Sequence, residues 1–445
     1  MTVTPSRQLR VQSFAMMLAS ALLLLAAVVW PTSLQSQEAA AATNDQPLPT
    51  RMVIDVTGAE RALYRIAIPN LLGNQAAGTE GAEVIRNDLR LVSLFQVLDP
   101  KGFLADLQKE GLGYVEAPWS SVGAQGVVKG QITGSGGSMT IDMRLYEVAR
   151  GPAPVLQKTY RGGQLRGYMH DFANEILRVL TGKAGSFGTR LLFARKGGTG
   201  RKDIYIADFD GKNEGRVSKG KGIAVLPSFG MGKIWYSMVT DLGTFITNAA
   251  AGEKPVINGD GINMGISVCG SRAYFSSTRD GNSEIYSSNL DGSGVARLTN
   301  NPAIDVSPTC GPGGQIAFVS ARHGGPQVFL MSATGGEPKR ITYKGSHNQT
   351  PAFCRDPNNP MIAFSGRDGG GWDIFTVSLK TGAYTRVTQG QGINQDPAFS
   401  PDCRMIAFAS SRGGIFLASP EGLNQNKVIS GSASTIRWGQ SIPKP

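Results

Sequence analysis

Histidine is almost missing from this chain: His170, His323 and His347 are the three in 445 residues. None stands at a metal-ligand spacing such as His-Glu-x-x-His, so the sequence offers no catalytic zinc centre. There is no Gly-x-Ser-x-Gly elbow, no P-loop and no dinucleotide fingerprint, and with them go the common hydrolase and nucleotide-dependent classes. Charged residues are few, at 17%, and no long apolar run follows residue 29, so membrane insertion of the mature chain is not expected. What is plentiful is glycine, 58 residues, which suits a body of short strands and tight turns. Nothing here predicts an enzyme.

The first 42 residues read as a separate object. Arg7 and Arg10 precede an apolar run from Phe14 to Val29, and the small residues Ala39 to Ala42 follow Glu38. This is the layout of a secretory signal peptide over 1–42, cut between Ala39 and Asp45, with an uncleaved anchor as the alternative. Its removal changes the formal charge from +11 to +10. That balance favours acidic partners or anionic surfaces. Nucleic acid is not expected, because the Lys and Arg residues are scattered and no stacking platform lies among them.

Two architectures follow. Over 53–186 the pattern is mixed α/β: strands at 51–56, 65–69 and 94–98, a helix from Thr79 to Leu91, a hairpin of 126–133 with 139–148, and a helix from Leu165 to Leu180. Over 189–440 a repeat takes over. The triplets beginning at Leu191, Ile234, Ala273, Ile316, Ile362 and Ile406 recur at intervals of 43, 39, 43, 46 and 44 residues, the range of propeller blades. Each is followed by a second strand and then by an Arg-x-Thr or Arg-x-Ser element, as at Arg216, Arg297, Arg340 and Arg386. The first unit lacks the strand that precedes its triplet, and 433–439 is a seventh copy of that strand with no triplet after it. The expectation is a six-bladed β-propeller closed by its C-terminal strand, with an open solenoid as the alternative. The fold class is thus α+β multidomain: a small N-terminal α/β domain, then the propeller.

The units Pro397 to Asp402, Ile406 to Ser410 and Ser307 to Arg322, with the Asp210-Gly211 and Asp291-Gly292 turns, resemble the repeat of the TolB family. Asn87 to Arg90 followed by Phe95 to Asp99, and Gly126 to Thr133, are similar to that family's first domain. The resemblance covers essentially the whole mature chain. It implies a periplasmic adaptor of the Tol-Pal system, without cofactor, supporting outer-membrane integrity and constriction during cell division. The propeller would bind a Pal-type lipoprotein. A flexible segment over 43–52, with Thr43, Asn44, Asp45, Gln46 and Pro47, would bind TolA; an unstructured leftover of processing is the other reading of that segment. The third unit departs from the family pattern, with Met264 to Gly270 in place of a Pro-Asp-Gly turn and Asp260 where a His is frequent.

Repeat phase puts Asp260, Asn263, Asp305, His347, Asn348, Gln349, Asn394, Gln395 and Asp396 at one end of the channel, the leading end, where the chain enters each innermost strand. They form either a hydrogen-bonding platform for a partner or a solvated funnel holding a cation such as calcium through Asp305 and Asp396. The alternative function is a module binding cell-wall sugars or peptides, which calls for aromatic side chains at the rim; these nine positions carry none. Cys269, Cys310, Cys354 and Cys403 fall at the opposite, trailing end. An even count in an oxidising compartment permits three pairings, or free thiols. Neighbours, 269 with 310 and 354 with 403, need the shortest reach.

Overall fold

The side chain of Asn74 accepts the Ala77 N–H and so satisfies a donor that every helix start leaves free; the helix Gln75–Leu91 runs from there. It begins before Thr79 because Gly78 lets it lie on the backbone of Leu71, where a Cβ would come within 2.1 Å of the carbonyl oxygen. A second helix, Leu165–Thr181, stops at Gly182, whose φ of +79° suits glycine and whose N–H donates to the Arg178 carbonyl. The computed structural model that shows this describes residues 62–220 and 222–439, within one compact unit. The signal peptide, the 43–52 segment with Thr43 to Pro47, and the strand expected over 51–56 lie outside the described residues.

Both helices cover one face of a sheet ordered Phe95–Val97, Tyr64–Ala67, Gly126–Thr133, Thr140–Glu147, Leu156–Arg161. The first three strands run parallel and the rest are antiparallel hairpins. Phe172, Ile176 and Leu177 of the second helix share a core with Ile66, Val128, Ile141 and Met143 of the sheet. Trp119 and Tyr146 fill the other face.

From Arg190 onward the chain builds six blades. The triplets sit in the second strand of each: Arg190–Lys196, Lys233–Thr240, Arg272–Ser277, Gln315–Ser320, Met361–Asp368 and Ile406–Ser410. Five sheets have four strands, and in blade two the Ile246–Ile257 bridge stands in for the outermost strand. Ser434–Gly439 pairs antiparallel with Arg190–Lys196 and supplies the innermost strand of blade one, so the ring is closed. The Trp438 indole N–H seals this seam with a 2.7 Å bond to the Thr189 hydroxyl.

Every innermost strand carries a bulge with one residue of positive φ: Leu226, Gly265, Ser307, Thr350, Asp396 and Thr435. These bulges stitch blade to blade. The N–H groups of Gly265, Ser307 and Asp396 donate to the hydroxyls of Ser237, Ser276 and Ser365, the residue after the triplet of the preceding blade, at 3.0, 3.2 and 2.9 Å. The Thr435 N–H donates to the Asp396 carboxylate at 2.7 Å. At the trailing end Cys269 is joined to Cys310 and Cys354 to Cys403, with Cα atoms 5.9 and 5.3 Å apart, linking blades three to four and five to six.

The α/β domain rests on that same trailing end. Lys183 Nζ reaches Asp356 at 2.6 Å, Ser186 donates to Asp402 at 2.7 Å, and Arg404 donates to the Thr181 hydroxyl at 2.6 Å. The described residues of that domain leave the leading end uncovered.

Candidate functional site: the leading rim of the propeller

Each Arg-x-Thr element braces its own blade. The hydroxyls of Ser218, Thr299, Thr342 and Thr388 donate to Asp203, Glu284, Gln327 and Asp373 at the head of the third strand, at 2.5–2.8 Å. Arg297 and Arg386 pair with Glu284 and Asp373 at 2.8 and 2.5 Å. These groups hold the turns that form the leading rim.

The polar residues expected to face a partner divide into two sets. Asn263, Asp305, Asn348 and Asn394 are buried, at 0–1% exposure, and bonded inward. Asn263 accepts from Ser277 and Arg279, both at 2.8 Å; Arg322 donates to Asp305 at 2.8 Å. Asn348 donates to Gln327 at 2.7 Å and to the Lys344 carbonyl at 2.8 Å, and Asn394 reaches Asp373 and the Gly392 carbonyl. These four stand at the head of the innermost strands with their side chains turned between blades, away from solvent. They anchor the loops. At the two acids of the expected cation funnel, Arg322 pairs with Asp305 through Oδ2 and Asp396 accepts the Thr435 N–H. Burial pushes both carboxyls up from the ordinary range, which disfavours a pair of free anions there.

The second set keeps its surface. Asp260 is exposed, and His347, Gln349 and Gln395 are half-buried at the rim; Asp396 is half-buried as well, with its carboxylate turned to the Thr435 N–H. His347 Nε2 lies 3.2 Å from Gln349 Oε1, and its ring meets Trp372 edge-on at 4.9 Å. An aromatic ring therefore does stand at the rim, contributed by the third strand of blade five, a position the nine-residue set did not include.

Between these polar groups stands a feature missed at the level of sequence. Ile223, Ile262, Ile304 and Ile393 occupy the same position in four blades, immediately before the inward-turned residue, and are 37–50% exposed. Leu242 and Tyr343 add exposed apolar surface at this end. The signal was present as Gly261-Ile262-Asn263, Ala303-Ile304-Asp305 and Gly392-Ile393-Asn394, which reads as the start of a strand with a core isoleucine. An apolar side chain repeated in water on four of the six blades is the kind of surface that marks an interaction site.

A second cluster lies where the two domains meet. Asp88 and His170 are buried 2.7 Å apart, Arg166 pairs with Asp210 of blade one at 2.7 Å, and Arg166 lies 3.3 Å from His170 Nε2. The sequence treats His170 as a lone histidine because Asp88 is 82 positions away. Asp88, His170 and Asp210 could gather round a metal ion, but the guanidinium of Arg166 already provides positive charge there. Its geometry is that of a fastening between domains.

The family model described as the TolB amino-terminal domain matches residues 52–153, and the TolB beta propeller domain matches 177–359, the first on the α/β domain and the second on the ring. The chain belongs to the TolB family. "Tol-Pal system protein TolB" of Anaeromyxobacter dehalogenans is 34% identical over 254 residues, 53% of this chain and 56% of that protein. "Protein TolB homolog" of Chlorobium luteolum is 28% identical over 294 residues, 63% of this chain and 67% of that one. The chain thus spans little more than half the length of the first of these TolB relatives. In structure, TolB from Acinetobacter baumannii shares the fold with a TM-score of 0.72 at 23% identity, over 85% of this chain and 96% of that one. Among the described residues no helix is long and apolar enough to cross a membrane.

Proposed function

We propose that the chain is a non-enzymatic periplasmic adaptor of a Tol-Pal system, binding a Pal-type lipoprotein at the leading rim and TolA through 43–52, in support of outer-membrane integrity and cell division. The observation that carries the reading is the isoleucine ring on the end that the α/β domain leaves uncovered. The closed ring leaves only the short outermost strands of its blades as edges, such as Ala296–Arg297 and Lys339–Arg340, which favours loops as the place where partners are met. Apolar anchors set among Asp260, His347, Gln349, Gln395 and Asp396 match the make-up of a protein interface, apolar at its centre and polar around it.

The test is a pull-down from the same organism's envelope with the mature protein, a form lacking 43–52, and Ile262→Asp with Ile304→Asp. The rim variants should lose Pal-type binding by about 2 kcal/mol or more, roughly thirtyfold, with an unchanged melting temperature. The shortened form should keep Pal and lose TolA. A second reading, binding of cell-wall sugar or peptide fragments, is favoured by a cavity of about 200 Å³ in blade five lined by Phe364, Arg367, Tyr384 and Arg386. It takes over if neither form recovers Pal or TolA while such fragments bind.

A further inference from the structure

The trailing mouth of the channel is a cavity of about 620 Å³ to which all six blades contribute, within the size range of ligand pockets. Its lining has three cations, Lys233, Arg355 and Arg437, and no carboxylate. None of the three forms an ion pair among the described residues, whereas Arg404 in a neighbouring turn pairs with Asp402. The acids nearest the mouth in sequence are engaged by the α/β domain and by the turn itself: Asp356 holds Lys183, and Asp402 accepts from Ser186 and Ser400. Docking of that domain therefore leaves the mouth positive. Arg437 is enclosed in the channel, where burial disfavours its charge and the Asp396 carboxylate acts in the opposite direction, so Lys233 and Arg355 are the two cations free of an acid.

We propose that this mouth is a second binding site, and that it takes an acidic peptide segment. Lys233, Arg355 and Arg437 stand on blades two, five and one, so their charges are spread round the opening and do not converge on one point. The surface between them is mixed: Phe229, Phe353, Phe399 and Trp438 give it an apolar part, and Ser228, Ser267, Thr309 and Ser400 add hydroxyls. Spaced cations among aromatic and hydroxyl side chains fit a chain that alternates carboxylates with apolar side chains; a compact anion such as phosphate would reach one cation at a time. The two disulfides fix four of the six turns, so little ordering is lost on binding. The site is independent of the leading rim.

A fluorescein-labelled heptapeptide of alternating glutamate and leucine, titrated by anisotropy against the purified mature protein, tests it. The lysine–leucine counterpart and inorganic phosphate are the controls. The acidic peptide should bind, and its affinity should fall as salt rises from about 50 to about 300 mM. Lys233→Gln with Arg355→Gln should weaken it by about tenfold or more, while Arg355→Lys stays within about threefold because the charge is kept. Both side chains are exposed, so the melting temperature should not move. Ile262→Asp at the other end should leave this binding intact. Equal binding of the basic peptide, displacement by phosphate at low concentration, or indifference to the double glutamine variant would each overturn the proposal.

Discussion

The proton held between Asp88 and His170 is the clearest single-residue control on how the two domains sit together. Burial raises the Asp88 carboxyl to about 6, with Asp210 adding to the rise and His170 and Arg166 opposing it. Desolvation works against charge on His170, but the hydrogen bond and charge of Asp88, joined by Asp210, outweigh it, and its pKa is raised above the ordinary 6.5. Both groups hold protons more tightly folded than unfolded. Their contribution is complete below the unfolded values and is lost as pH climbs, for Asp88 between 3.8 and about 6 and for His170 above 6.5. Guanidinium midpoints measured from pH 6 to 8.5 should therefore show a stability gap between the parent and His170→Gln that narrows toward high pH. A gap that widens with pH would contradict the assigned proton.

At the scale of elements, the disulfides are the staples of the trailing end. They close loops separated by 41 and 49 residues, and the lost chain entropy of the unfolded state corresponds to about 2–4 kcal/mol per bridge. Reductant should lower the urea midpoint of the parent accordingly, and have no further effect on a variant with all four cysteines changed to Ser. The triplet strands were legible in the sequence because a core strand must be apolar in every blade and the blade fixes the interval. The Arg-x-Thr element was legible as a motif but mute about its role, since the acid it braces lies a strand earlier, as Glu284 does for Arg297 and Thr299. The rim was half legible. Polarity placed Asn263, Asp305, Asn348 and Asn394 at the correct end, yet a buried anchor and an exposed contact carry the same letter, and only the path of the strand tells them apart. For Ile262 and its equivalents the ambiguity runs the other way: an isoleucine at a strand start looks like core until the bulge beyond it is seen.

At the scale of the whole molecule, everything hangs on Ser434–Gly439. Removing it would bare the innermost edge of blade one and strip Trp438 from Thr189. A chain ending before residue 434 should unfold without a sharp transition and run as aggregates in size-exclusion chromatography, while still holding a soluble α/β domain after limited proteolysis. A monomeric, cooperatively melting product would show that blades two to six suffice. The seam also has a meaning in time. Arg195 waits for a carbonyl 235 positions later, and Thr189 for an indole 249 positions later, so blade one is the first begun and the last finished. Contacts of such long range form slowly. A chain that has lost a blade brings its final strand to the wrong partner, and one that has not been completed brings none. Closure of the ring is thereby a count of its own repeats, a checksum that only a chain of the full number of blades can pass.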